Sequence, residues 1–289
     1  MAGTVVQNAL GEVLFLTIGG FGSPRRVEAY NAVKKKWIRK IDLPVDRSAA
    51  SAAAIGTKIY VVGGRNLSGV ATKTLYVYSV ATNTWTQKAS LPVKSAQGIA
   101  GVIAGKLYLL TSTGEFGATQ QLYRYNPTTN TWTRRADPIN DHIRGVGGVI
   151  NGKFYAAWGR SPRSNFAFNA SFSVDMYDPT INRWTVKLPA TDPGHCSEDS
   201  DCSLSGPGSA VLNQQLFVMG GRNDDDFLEG TRAYNPVTNT WTSKAPMPFA
   251  RDHGLIAGKV KNAAGQLQII VVGGDNFAAD LETANIYTP

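Results

Sequence analysis

Apolar residues come in short runs broken by turn formers. Between Ser48 and Pro92, "SAASAAAI" reads as a small-residue strand, "GTK" as a turn and "IYVVGG" as a buried strand. "TLYVYSV" then alternates apolar and polar positions, "ATN" turns again, and "WTQKASLP" closes the unit. No segment sustains a 3.6-residue period, so helix is expected to be almost absent.

The pattern repeats. Six tyrosines mark the chain: Tyr30, Tyr78, Tyr125, Tyr177, Tyr234 and Tyr287. A tryptophan follows each of the first five at seven residues: Trp37, Trp85, Trp132, Trp184 and Trp241, in steps of 48, 47, 52 and 57. Between them lie turns such as "NPTTNTW", "DPTINRW" and "NPVTNTW". Self-similarity at roughly 40–50 residues signals a propeller or solenoid. Four strands per unit and six units predict an all-β, six-bladed propeller of four-stranded antiparallel blades, in one domain over 1–289. The blades fall near 1–43, 44–91, 92–138, 139–189, 190–247 and 248–289. After Tyr287 only Thr288 and Pro289 follow, and "TVVQNAL" already fits the first strand of blade one. The sixth blade is therefore expected to have three strands, to share Thr4–Leu10 differently, or to be completed in a longer chain.

Gly-Gly pairs end the second strand at Gly19-Gly20, Gly63-Gly64, Gly220-Gly221 and Gly273-Gly274, where positive φ or close approach near a crowded axis is expected. Thr111-Ser112 and Trp158-Gly159 replace them in two units, which predicts locally different backbones there. The apolar strand, Gly-Gly, Tyr and Trp at this spacing resemble Kelch repeats, over essentially the whole chain. The resemblance implies that the first strand of each blade is innermost and the Trp strand outermost.

Composition fits a folded chain: 43% apolar and 17% charged residues argue against disorder. No apolar run reaches the roughly 18 residues of a membrane helix. The N-terminus lacks a basic region and Glu12 interrupts its apolar stretch, so it does not read as a signal peptide. The chain is then cytoplasmic, or a mature form that has lost its leader. The net charge of +8 favours acidic partners. Five of those charges, Lys40, Lys88, Arg135, Lys187 and Lys244, stand three residues after a Trp, on outer edge strands where cations deter sheet-to-sheet aggregation. With them set aside, the case for nucleic acid weakens, and no aromatic stacking platform accompanies them.

A second basic set is more informative. Strand one starts, and strand two ends, on the same face. Arg65, Arg160 and Arg222 occupy aligned positions after strand two, where other blades hold Phe21, Thr113 and Asp275. Arg47, Arg144 and Arg251 lie at the start of strand one, joined by Asn66, Asn223, Asn276, His142 and His253. Some of these arginines can be structural, bonding carbonyls or Asp46, Asp141 and Asp252. Six on one face also form an Arg-rich mouth suited to carboxylates or phosphates. The resemblance points the same way, because Kelch adaptors that read acidic peptides use this face. The expected ligand is an acidic protein or peptide, or another anionic group, bound by Arg47, Arg65, Asn66, Arg144, Arg160, Arg222, Asn223, Arg251, His253, Asp275 and Asn276. A monomer without a cofactor is expected.

Cys196 and Cys202 share one polar loop and suggest a local disulfide, tipping the setting toward the extracellular. A metal held with His195, Glu198, Asp199 and Asp201, or free thiols, are the other readings. The loop carrying Phe166 and Phe168 overhangs the mouth or covers blade four, and Asp224–Asp226 read as a solvated acidic loop more readily than a calcium site. Asn66 and Asn169 sit in glycosylation sequons. No catalytic pattern appears around the three histidines. The enzyme alternative is a secreted propeller that binds or isomerises an anionic sugar, similar to Kelch-type sialic acid mutarotases. It would use His253 or His142 with Asp252 or Asp141.

Overall fold

The structure is a computed structural model and describes residues 1–113, 120–159, 173–187, 206–221, 228–251, 254–262, 264–274 and 284–288. The chain divides into two units, residues 1–113 with 122–135, and residues 114–121 with 136–289.

In the first unit, β1 (Ala2–Gln7), β2 (Val13–Ile18), β3 (Val27–Asn31) and β4 (Lys36–Arg39) form an antiparallel sheet in chain order. β5 (Ser51–Ile55), β6 (Lys58–Val62), β7 (Leu75–Ser79) and β8 (Thr84–Lys88) form the second. β9 (Ile99–Ile103), β10 (Lys106–Leu110), β11 (Leu122–Asn126) and β12 (Thr131–Arg134) form the third. The apolar run of β6 has a direct cause. Ile59 and Val61 pack toward Leu16 and Ile18 of the first sheet, whereas Tyr60 and Val62 pack toward Leu107 and Leu109 of the third. Side chains alternate faces along a strand, so a strand covered on both faces is apolar throughout. The first strands β1, β5 and β9 lie side by side, and their small residues permit that approach.

The second unit repeats the plan. β13 (Val146–Ile150), β14 (Lys153–Ala157), β15 (Val174–Asp178) and β16 (Arg183–Val186) make one sheet. β17 (Gly208–Leu212), β18 (Gln215–Met219), β19 (Thr231–Asn235) and β20 (Thr240–Lys244) make the next. β21 (Ile256–Lys261), β22 (Leu267–Val272) and β23 (Ala284–Tyr287) complete the unit as a three-stranded sheet. Its cores lie between successive sheets, with Leu216 and Val218 facing β13–β15 and Phe217 and Met219 facing Ile269 and Val271. No helix occurs among the described residues. Six consecutive meanders are the blade set of an all-β, six-bladed propeller, with the sixth blade three-stranded.

The aromatic ruler is a register. Tyr30, Tyr78, Tyr125, Tyr177 and Tyr234 stand directly opposite Trp37, Trp85, Trp132, Trp184 and Trp241 across the third and fourth strands. Ring centroids are 5.0 Å apart in the Tyr78–Trp85 and Tyr125–Trp132 pairs. The Asn two residues before Trp closes the turn at positive φ in Asn83, Asn130, Asn182 and Asn239, a region Asn tolerates better than most residues. The Tyr78, Tyr125 and Tyr177 hydroxyls donate to Asn83, Asn130 and Asn182 Oδ1 at 2.6, 2.7 and 2.8 Å.

The same motif ties three of the sheets to the segment before them. Trp132 Nε1 donates to Ala89 O at 2.8 Å, and Asn130 Oδ1 accepts from Ala89 N at 2.9 Å. Trp85 with Asn83 grips Ile41, and Trp184 with Asn182 grips Ala136, in the same way. Each gripped residue follows one of the basic positions, Lys40, Lys88 and Arg135. In the first sheet Lys35 (φ 51°) takes the place of Asn.

Candidate functional site

The Gly-Gly ends build the face on which the site was expected. Gly63 and Gly64 have φ of 66° and 85°, and a Cβ on Gly63 would lie 2.2 Å from Ser95 O. Gly19 meets Arg47 O at the same distance, and Gly220 meets Arg251 O at 2.6 Å. The crowding comes from the backbone leading into the next sheet rather than from an axis. The contact is a bonded joint: Gly20 N donates to Arg47 O at 3.0 Å, Gly64 N to Ser95 O at 2.8 Å, and Gly221 N to Arg251 O at 2.8 Å. Of the two departures, Thr111-Ser112 stays out of positive φ, and Trp158 enters it at 56°.

In the first unit, Arg47 is buried. It donates from its Nη atoms to Asp46 O at 2.6 Å and Thr74 Oγ1 at 3.0 Å. Burial pushes its pKa down, but a guanidinium keeps its charge. Arg65 is half-buried. Its backbone exchanges hydrogen bonds with Ser48 at 2.7 and 3.0 Å. Its guanidinium donates to Gly69 O at 2.6 Å and Thr113 O at 2.5 Å. A guanidinium has five N–H donors, so these two bonds fix the fork without exhausting it. Asn66 closes the β6–β7 loop, with Oδ1 accepting from Val70 N at 2.9 Å.

Three apolar side chains project from these anchored loops and were not among the expected ligand-binding residues, although Phe21 stands at the position aligned with Arg65. Phe21 is 100% exposed, Leu67 76% and Val70 46%. Phe21 follows Gly20, which bonds to Arg47; the next residue, Ser48, bonds to Arg65, two residues before Leu67. The β2–β3 and β6–β7 loops therefore present apolar groups from neighbouring positions of one unit. The signal in the sequence was an apolar residue at a loop tip, where turn formers are the rule.

In the second unit, Arg251 is fully buried and donates from Nη1 to Gly273 O at 2.9 Å. Burial lowers its pKa as well. Arg47 and Arg251 thus anchor equivalent joints in the two units. Arg144 is half-buried, with φ of 60°. His142 and Asp141 are fully buried. His142 Nδ1 lies 2.9 Å from Trp158 O, and its Nε2 lies 3.5 Å from Asp175 Oδ2. A carbonyl only accepts, so Nδ1 carries the proton. Trp158 stacks on Trp241 at 4.8 Å, with Arg232 5.7 Å from its ring centroid. These contacts hold Trp158 in the left-handed region. The described acid–base candidates, His142 and Asp141, are sealed in the core and out of a substrate's reach. Arg160, Arg222, Asn223, His253, Asp275, Asn276, Cys196 and Cys202 lie outside the described residues.

The comparisons agree with this scaffold. The family model described as Kelch motif matches residues 46–92 and 203–248, which take in β5–β8 and β17–β20. Kelch-like protein 25 of Xenopus tropicalis is 29% identical over 265 residues, 88% of this chain. This chain spans only 41% of that relative's length. The human influenza virus NS1A-binding protein is 36% identical over 76 residues, which is 26% of this chain and 11% of that protein. Among solved structures, one titled "Structure of YjhT" matches at a TM-score of 0.78 and 16% identity. It covers 99% of this chain and 94% of its own, which shows a shared fold. The two motif matches fall on blades that carry the Tyr–Trp register, the turn asparagine and the Gly-Gly joint, so the chain carries Kelch motifs in two of its blades and is similar to a Kelch-like protein along most of its length.

Proposed function

We propose that the chain is a non-catalytic recognition module that docks an acidic protein or peptide on its Gly-Gly loops. The observation that carries this is the construction of the Arg65 loop. Backbone bonds to Ser48 and guanidinium bonds to Gly69 and Thr113 hold a cation in one orientation beside the exposed Leu67 and Val70. A fork held in place before binding loses little entropy on meeting a carboxylate, and a neighbouring apolar anchor supplies buried area. The names of the Kelch-like relatives are consistent with a protein partner.

Arg144 extends the reading in the second unit. Arg160, Arg222, Asn223, His253, Asp275 and Asn276 extend it by blade alignment. Arg47 and Arg251 enter as supports of the loops that make contact.

The test is binding to an array of Asp/Glu-rich peptides carrying one apolar residue, measured at two salt concentrations. Combining Arg65→Ala with Leu67→Ser should weaken captured peptides by about tenfold or more and leave the melting temperature nearly unchanged. Binding to the parent should weaken with salt. Undiminished binding by the double variant contradicts the proposal.

A further inference from the structure

Three sheets place Thr-Asn-Thr before their tryptophan, at residues 82–84, 129–131 and 238–240. In each, the two threonine hydroxyls bond at 2.7 Å, and the asparagine accepts from the tyrosine hydroxyl. The first sheet puts Lys34, Lys35 and Lys36 at those positions, and all three are exposed. An ammonium accepts no hydrogen bond, so Lys35 cannot take the hydroxyl proton that asparagine takes. Apolar tips stand beside the lysines. Val33 precedes them, and Leu10 tops the adjoining turn between β1 and β2; they are 70% and 83% exposed. Both tips are fixed. Asn31 Oδ1 accepts from Val33 N at 3.0 Å and Lys34 N at 2.9 Å. Asn8 Oδ1 accepts from Leu10 N at 3.0 Å and Glu12 N at 2.9 Å. The two turns are joined, because Lys34 Nζ meets Glu12 Oε1 at 2.7 Å and Ala32 N donates to Val13 O at 3.1 Å. Glu12 is the only acid in residues 8–12 and 31–36. Lys34 neutralises it, and the charge of Lys35 and Lys36 stays on the surface.

We propose that these two turns dock the chain on an anionic lipid bilayer, with Leu10 and Val33 entering the headgroup region and Lys35 and Lys36 on the acidic headgroups. Aliphatic side chains that protrude on turns suit a soft surface that opens around them, and the gain grows with the apolar area buried. Lysine suits the same partner. Its point charge on a flexible stem meets headgroups in many arrangements, whereas an arginine fork selects one geometry. A nucleic acid would engage the lysines but leave Leu10 and Val33 without a role, and these turns hold no aromatic ring on which a base could stack. The patch is separate from the Gly-Gly face, because β2 runs the length of the sheet between Leu10 and Gly19-Gly20.

The probes are vesicles of phosphatidylcholine alone and of phosphatidylcholine with about one-third phosphatidylserine, co-sedimented with the full chain. Binding to the phosphatidylserine vesicles is expected, weakening as salt rises, with far less on phosphatidylcholine alone. Lys35→Gln with Lys36→Gln should weaken it about tenfold or more. Leu10→Ser with Val33→Ser should weaken it about tenfold. Both double variants should keep the parent melting temperature, since all four side chains are exposed. Arg65→Ala with Leu67→Ser should leave vesicle binding unchanged, which separates this surface from the peptide face. Absence of binding to phosphatidylserine vesicles overturns the proposal. So does equal binding to the two kinds of vesicle, or binding that either the lysine or the Leu10–Val33 double variant leaves undiminished. A labelled DNA duplex bound more tightly than the vesicles, and released by Lys35→Gln with Lys36→Gln, would make the patch a nucleic-acid surface and also end the proposal.

Discussion

Replacing Gly63 by alanine separates two reasons for a glycine at that position. The first is conformational. At φ of 66° an alanine costs about 1–2 kcal/mol relative to the right-handed region. The second is spatial. The new Cβ would stand 2.2 Å from Ser95 O, so the joint must open and the 2.8 Å bond from Gly64 N to Ser95 O is lost. A lost bond of this kind costs about 0.5–1.5 kcal/mol, and more when a buried group is left unpaired. Gly69 is the internal control, since its φ is 72° and nothing lies within 4 Å of its Cβ position. Gly69→Ala should therefore cost only the conformational part, and Gly63→Ala about 2–4 kcal/mol in all. Urea unfolding of the two variants side by side measures the difference. Equal destabilisation would refute the argument that the next sheet's backbone, rather than φ alone, demands glycine at the end of the second strand.

Further outcomes follow from the same geometry. Tyr125→Phe removes the 2.7 Å bond to Asn130 and should lower unfolding stability by about 1 kcal/mol. Asn130→Ala should cost more, because it also releases Ala89 N and puts alanine at φ of 55°. Burial pushes the Tyr78 hydroxyl up to about 12, above its ordinary value of 10.0. Its contribution to stability is therefore complete below pH 10 and fades as pH rises toward 12, which an alkaline melting series checks against Tyr78→Phe. Asp178 is held at about 2, below its ordinary 3.8, first by the hydroxyl and backbone N–H of Thr180 and then by Lys153. Its carboxylate should titrate near pH 2 by NMR, its contribution to stability being complete above pH 3.8 and lost as pH falls from there through about 2, and Thr180→Ala should move the midpoint back up.

The frame was legible in the sequence because it depends on local chemistry repeated in register. Tyr78 and Trp85, seven residues apart, can stand opposite each other only if a four-residue turn joins two antiparallel strands. Likewise Gly63-Gly64 after an apolar run announces a strand end that neither a side chain nor ordinary φ can satisfy. The arginines were harder. Arg47, Arg65 and Arg251 look alike in the sequence, yet Thr74 and Gly273 turn two of them inward, and the loop around Gly69 holds the third near the surface. Those partners come from other strands, so no local pattern separates an anchor from a contact. The crowding at Gly63 has the same origin, since Ser95 belongs to the lead-in of the next sheet. Trp158 at positive φ needs Trp241, brought from 83 residues further on, to hold it.

The central claim is that the Gly-Gly loops are the reading face. The most direct measurement is an amide shift map of the isotopically labelled chain, titrated with an acidic peptide selected from the array. The account predicts perturbations concentrated in residues 19–23 and 64–71, weakening as salt rises. Shifts centred instead on the Tyr–Trp turns, or unaffected by Arg65→Ala with Leu67→Ser, would contradict it.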